Sequence, residues 1–446
     1  MTNLPVPTLS EGASAVCVFC IFLVPLAAAG LALLNAGLGR SRSAAHTMIA
    51  SLCILSVAAI AYFVCGFAVQ GFTGQPIRIL RLGGRQWDWI GAGPFFLRKF
   101  ELDGSPASLA AGLSMLCAGL AALIPLGAAA ERWRLRTICA STALLAGFTF
   151  PLFAHWVWGG GWLAQLGTNY GLGHGFIDVG GSSCIQVVGG LTALSIVWIL
   201  GPRRGKYSSS TLPNAIPAHN AVFVIFGSML CWAGWLGLNS AGAILFWGAA
   251  SGQVVLVAVN TTLAAASSGL AALVVTGLRF GRPDASLTCD GWIGGLVASS
   301  AGCLFIKPAE AVVIGAIAGA LVTYAVEWFE FGLKVDDPGG SISAHAVGGI
   351  WGLLAAGIFV RFPASTSVIA SVQSGADSGQ FIAQLIGIAT LVGFVLPTTY
   401  GLNQLLNWFV PYRVSLEGER QGADLHELGA DAYPEFVVHT EEFIQR

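Results

Sequence analysis

The chain has 446 residues, of which 55% are hydrophobic and only 10% charged, with a mean hydropathy of +0.75 and a formal net charge of -1. That balance excludes an ordinary soluble domain, and the near-neutral charge argues against nucleic acid as a partner. Apolar runs long enough to cross a hydrocarbon core of about 30 Å recur from end to end, so the chain reads as an all-α protein of the lipid bilayer.

The opening residues, MTNLPVPTLSEG, carry no basic stretch ahead of the first apolar run, and a cleaved signal is not expected. Eleven spans follow, at about residues 10–36, 44–71, 107–130, 134–158, 180–201, 218–242, 250–277, 285–304, 308–332, 340–360 and 379–409. With the N-terminus outside, Arg40, Arg42, Arg132, Arg134, Arg136, Arg203, Arg204, Lys206, Arg279, Arg282, Lys334, Arg413 and Arg420 all fall in the cytoplasm. The outside then holds Lys307, Arg361 and a cluster in the long loop 72–106, comprising Arg78, Arg81, Arg85, Arg98 and Lys99. Short loops decide such a comparison, and they favour N-out and C-in.

Two units result, a transmembrane domain over 1–410 and a cytoplasmic tail over 411–446. The tail is acidic, with Glu417, Glu419, Asp424, Glu427, Asp431, Glu435, Glu441 and Glu442; it is either solvated or a docking segment. The ten cysteines show no metal-ligand spacing, and no nucleotide loop or hydrolase elbow appears. No enzyme activity, metal or cofactor is expected.

One stretch occurs twice. Asp178–Leu194, DVGGSSCIQVVGGLTAL, aligns without a gap on Asp337–Leu353, DPGGSISAHAVGGIWGL. Each copy has an Asp, a Gly-Gly-Ser, then a polar side chain eight residues past the Asp, Gln186 or His345, and a Val-Gly-Gly. The copies head the fifth and tenth spans, where an inverted five-plus-five repeat with one closing helix would put them. Asp178 and Asp337 stand where a carboxylate caps a helix start, a role compatible with shaping a nearby site. His345 alone would read as a satisfied core histidine. Its match to Gln186, another side chain that both donates and accepts, points instead to a narrow hydrogen-bonding lane across a pseudo-two-fold axis. His155, Trp156, Trp158 and Trp162 end the fourth span, either as an interfacial aromatic belt or as a cation–π mouth.

At these residues the chain resembles the ammonium transporter / methylammonium permease / Rhesus family over nearly its whole length. The motifs that carry the resemblance are Trp158-Gly-Gly-Gly161, Ala130-Glu131-Arg132, Asp178-Val-Gly-Gly, Gly234-Trp235-Leu236-Gly237-Leu238-Asn239, the run Asp290–Cys303 and Val335-Asp336-Asp337-Pro338 with His345. The resemblance implies eleven helices in inverted five-helix repeats, one pore per subunit, a homotrimer in the plasma membrane, and ammonium or ammonia as substrate. It places the family's two pore histidines on Gln186 and His345, so only the second is kept. Its mouth residues fall on Asp178 and Trp158, with Trp235 and Asn239 beside them. Its two gate phenylalanines fall on Cys117 and Leu238, a further mouth phenylalanine on Leu113 and the mouth serine on Gly242. The segment Gly422–Tyr433 is similar to the tail by which members contact neighbouring subunits and PII-type signalling proteins, although Leu428 replaces its usual histidine. The alternatives implied are an ammonium sensor that conducts poorly and a pore for another small neutral solute or amine.

Overall fold

The computed structural model describes residues 9–72, 77–207, 212–362 and 379–434. The acidic residues Glu435, Glu441 and Glu442 lie outside them. Ten helices among the described residues are long and apolar enough to cross a membrane: α1 Glu11–Leu38, α2 Ser41–Gln70, α3 Pro106–Ala129, α4 Leu135–Val157, α5 Ser182–Leu200, α6 Ala221–Trp247, α7 Ser251–Phe280, α9 Pro308–Gly332, α10 Ile342–Phe359 and α11 Gln380–Phe409. Between α7 and α9 lies α8, Ala285–Ser300, a shorter helix whose chain continues as turns over 301–305. The molecule is a multi-pass membrane protein.

The helices start where local chemistry lets them. Ser10, Ser105, Asn220 and Asp284 accept hydrogen bonds from Ala13, Ser108, Phe223 and Leu287 N–H groups, satisfying donors that a helix start leaves orphaned. Pro106 and Pro308 open α3 and α9, where the missing N–H costs nothing. The lipid-facing sides keep large apolar groups exposed, such as Phe19 and Phe22 on α1 and Leu278 on α7, as a bilayer permits.

Where α5 meets α10, glycine sets the distance. A Cβ on Gly190 would lie 2.5 Å from the Ala346 backbone nitrogen, and one on Gly349 would lie 2.5 Å from Val187 Cγ2. These glycines hold the same place in the two motif copies. A later residue of each helix thus meets an earlier residue of the other, so α5 and α10 cross in opposite directions, as halves of an inverted repeat do.

Loop 72–106 is more than a basic connector. Ile77–Leu82 (β1) and Arg85–Gly91 (β2) form an antiparallel hairpin whose turn, Gly83-Gly84, has φ of +59° and +76°. Only glycine adopts that pair of left-handed conformations without strain, which is what a two-residue hairpin turn needs. The hairpin lies on the loop that ends α4: Trp162 N–H donates to Asp88 O (3.0 Å) and Trp156 Nε1 to Trp89 O (2.8 Å).

At the opposite ends of the helices, buried charges are paired. Arg203 donates to both carboxylate oxygens of Asp336 (2.9 Å each) and to Glu131 (3.0 Å), while Arg132 donates to the Asp336 carbonyl (2.8 Å). Burial alone would raise the Asp336 pKa, but Arg132 and then Arg203 outweigh it and hold the carboxyl at about 2. The described part of the tail is docked rather than solvated. Asp424 accepts from the Ala45 and His46 N–H groups at the start of α2 (3.0 and 2.6 Å), and Glu427 from Leu135 N–H at the start of α4 (3.1 Å).

Candidate functional site

Each motif copy opens its helix the same way. Asp178 Oδ1 accepts from the Gly181 and Ser182 N–H groups (2.8 Å each). Its Oδ2 accepts from the Ser183 N–H (2.7 Å), the Ser183 hydroxyl (2.5 Å) and the Cys184 N–H (3.1 Å). Asp337 accepts from Ser341 N–H (3.0 Å) and Ile342 N–H (2.7 Å), the positions that match Ser182 and Ser183. The glycines behind them, Gly181 and Gly340, take φ of +99° and +57°. Both aspartates are therefore caps.

A widened turn follows each cap, Ser182–Val187 in α5 and Ile342–Val347 in α10. Widened turns of this kind expose backbone and re-aim side chains, and they are frequent at functional sites. Here they carry the two polar side chains. His345 Nδ1 and Gln186 Oε1 lie 2.7 Å apart, on residues that are 4% and 0% exposed. The two groups that the sequence repeat paired are in direct contact across the α5–α10 crossing. Gln186 Nε2 and Ser343 Oγ are buried with no protein partner among the described residues, so each has hydrogen-bonding capacity to offer a small molecule.

Around Asp178 the other expected mouth residues assemble. Trp158 Nε1 donates to the Asp178 carbonyl (2.8 Å), and Trp247 Nε1 does so from α6 (3.3 Å). The Trp158 ring stacks on Phe246, 4.5 Å between centroids and 8° from parallel. Asn239 lies against Gly180, where a Cβ would overlap its Oδ1; its amide nitrogen donates to Thr261 Oγ1 (2.9 Å). Trp235 is fully buried and donates to Ser300 Oγ (3.2 Å), which ties α6 to α8. Cys117, on α3, is fully buried and Leu238, on α6, is 1% exposed; so is Leu113 buried. Gly242 has no room for a side chain, since a Cβ would meet the Val179 carbonyl.

The aromatic run at the end of α4 is not an interfacial belt. His155 and Trp156 are 0% and 1% exposed, sealed under the hairpin, because Trp89 and Trp162 lie over Trp156 with centroids 5.0 and 5.8 Å away. His155 instead sits between two oxygens, Nδ1 2.6 Å from Gln70 O and Nε2 2.9 Å from Asp88 Oδ1. In the loop before Asp178, Tyr170 lies under the Arg85 guanidinium (4.0 Å to the centroid) and His174 packs on Phe362, tilted by 35° with centroids 3.8 Å apart. Sequence reasoning missed Asp88, Gln70, Phe246 and Trp247. The signal for Asp88 was present as alternating strand residues around Gly83-Gly84. Phe246 and Trp247 lie just beyond the end expected for the sixth span.

The sequence profile described as Ammonium Transporter Family matches residues 15–433. The chain is 37% identical over 426 residues to "Ammonium transporter Amt2" of Archaeoglobus fulgidus, covering 94% of this chain and 87% of the relative. It is 29% identical to the "Ammonium transporter" of Bacillus subtilis, covering 93% of this chain and 96% of that one. Among solved structures, "Sensor Amt Protein" matches with a TM-score of 0.82 at 28% identity, covering 93% of this chain and 98% of that chain. Candida albicans Mep2 matches with a TM-score of 0.77 at 23% identity over 97% of this chain and 93% of that chain, a likeness of fold. With the repeated cap, the widened turn and the α5–α10 crossing all found inside the stretch that the profile covers, the chain belongs to the Ammonium Transporter Family.

Proposed function

We propose that the chain is a channel-like ammonium transporter of the plasma membrane that strips ammonium of a proton at its mouth and passes neutral ammonia along a pore lined by the hydrogen-bonded pair Gln186 and His345. Energetics favour that division. Neutralising an amine of lysine-like pKa (about 10.4) at pH 7 costs about 4–5 kcal/mol, at about 1.36 kcal/mol per unit. Carrying the bare charge into a medium of dielectric about 4 costs tens of kcal/mol. The mouth would be Trp158, Phe246 and the carbonyl of Asp178, with Trp235 and Asn239 bracing it and Cys117 and Leu238 at the gate positions. Phe246 stacked on Trp158 supplies an aromatic face close to a site from which the gate phenylalanines are absent.

The observation that carries the reading is the 2.7 Å contact of His345 with Gln186 inside the buried α5–α10 crossing. Two side chains from opposite halves of the repeat are brought to one point in the buried interior. The N-out, C-in orientation, the homotrimer and the division at residue 410 complete the proposal. The docked tail suits a regulatory role, and a PII-type protein is the partner proposed for it.

Ammonium uptake into proteoliposomes tests the reading. Saturable flux supports a transporter. Tight ammonium binding without flux would make the chain a sensor, the reading that the likeness to "Sensor Amt Protein" favours. Equal flux of larger amines would make it a pore for another small solute.

A further inference from the structure

A chain of buried polar groups runs from the hairpin to the helix that carries the gate position. Asp88 Oδ1 faces His155 Nε2 (2.9 Å), and His155 Nδ1 faces the Gln70 carbonyl (2.6 Å). The Gln70 side chain then donates to Ser114 Oγ (2.9 Å) and accepts from the Tyr62 hydroxyl (2.8 Å). Asp88, His155, Gln70, Ser114 and Tyr62 are all at least 95% buried. Ser114 stands one residue after Leu113 and three before Cys117.

The same pair holds the loop of Trp158. Trp162 N–H donates to the Asp88 carbonyl, and Gly159 is packed so closely that a Cβ would lie 2.7 Å from His155 Nδ1 and 2.9 Å from the Gln70 carbonyl. Gly161 is likewise held, with the Asp88 carbonyl 3.1 Å from where a Cβ would sit. The Asp88 carbonyl therefore holds the Gly161–Trp162 side of the turn, and its side chain holds the His155 ring that lies against Gly159 on the other side, while Trp158 itself is stacked on Phe246 and bonded to the Asp178 carbonyl.

Resting on the transporter reading above, we propose that Asp88 and His155 are positioning residues for the mouth: the hairpin acts as a clasp that fixes Trp158 for the incoming cation. Both ring nitrogens of His155 face oxygen atoms, Nδ1 the Gln70 carbonyl and Nε2 the Asp88 carboxylate, so the ring is held from both sides. This distinguishes two substitutions. Asp88→Ala leaves a buried ring nitrogen without a partner. Asp88→Asn keeps the shape and a hydrogen-bonding group opposite His155 Nε2 without the carboxylate.

The test is ammonium uptake by proteoliposomes holding the full chain or either variant, at equal protein content and with melting temperatures recorded. Asp88→Ala is expected to raise the half-saturating ammonium concentration about tenfold while the maximal rate changes less than about twofold. Asp88→Asn is expected to restore most of the wild-type value. Unchanged half-saturation in Asp88→Ala overturns the proposal. So does a loss of maximal rate and folded protein in equal measure, which marks a structural role only. If the wild-type protein binds ammonium but carries none, the transporter reading fails. The clasp is then judged by the same shift in calorimetric ammonium affinity, and an unshifted affinity overturns it.

Discussion

Both carboxylate oxygens of Asp178 are taken up by donors of the turn that opens α5, five hydrogen bonds in all among the described contacts. A carboxylate so engaged has little left to offer a passing ion directly, and it works by presenting its own carbonyl to Trp158 and Trp247. Asp178→Ala strands buried N–H groups and should destabilise the protein by about 3 kcal/mol or more, read as a fall in the melting temperature of the detergent-purified protein. The role of Asp178 as a cap was visible in the sequence, because an Asp before Gly-Gly-Ser has few other ways to satisfy a helix start. The pairing of His345 with Gln186 was visible too, through the ungapped repeat. Asp88 was not visible as His155's partner, because 67 residues separate them and no local pattern joins a strand to the end of a distant helix. Composition alone leaves the Trp-rich end of α4 open between an interfacial belt and a cation–π mouth, and neither reading supplies His155 with a partner on the hairpin.

At the scale of elements, the α5–α10 crossing depends on the absence of side chains at two matched positions. Gly190→Ala drives a methyl group into the Ala346 backbone, which cannot swing away as a side chain can. It should cost about 1–3 kcal/mol and shift His345 relative to Gln186, so that ammonium flux falls along with melting temperature. Gly112→Ala in α3 is the control, since nothing lies within 4 Å of its Cβ. That change should be neutral or stabilising by up to about 1 kcal/mol. Most membrane helices could be read from apolar run length within a few residues. The widened turns inside them could not, because a run of apolar residues fixes that a helix exists but not where its hydrogen bonding slips by one residue. The hairpin escaped notice for a related reason: five cations in 72–106 drew the reading to charge balance, whereas the turn chemistry of Gly83-Gly84 defined the structure.

Across the whole molecule, the face opposite the hairpin is tied together by charge. Arg132 and Arg203 converge on Asp336, and Glu131 bridges Arg203 to Arg40. Asp336 has a folded pKa of about 2, below the ordinary carboxylate value of about 3.9. Its contribution to stability is therefore complete above about pH 4 and is lost as pH falls toward 2. Melting temperatures taken between pH 7 and pH 3 should drop at the acid end in the wild-type protein. Asp336→Asn should be less stable at pH 7 and show a smaller acid drop.

The tail belongs to the same scale. Composition allowed either a solvated or a docked segment. The carboxylates of Asp424 and Glu427 settle its described part by capping the starts of α2 and α4, an arrangement that depends on helix ends more than 280 residues away in sequence.

The lane itself is tested most directly by the flux of His345→Ala in proteoliposomes under matched ammonium and potassium gradients. Removing the imidazole takes away one wall of the only contact that joins Gln186 to α10 among the described hydrogen bonds. This variant should either cease to carry ammonium or admit potassium alongside it. Ammonium flux at the wild-type rate, with potassium still refused, would contradict it.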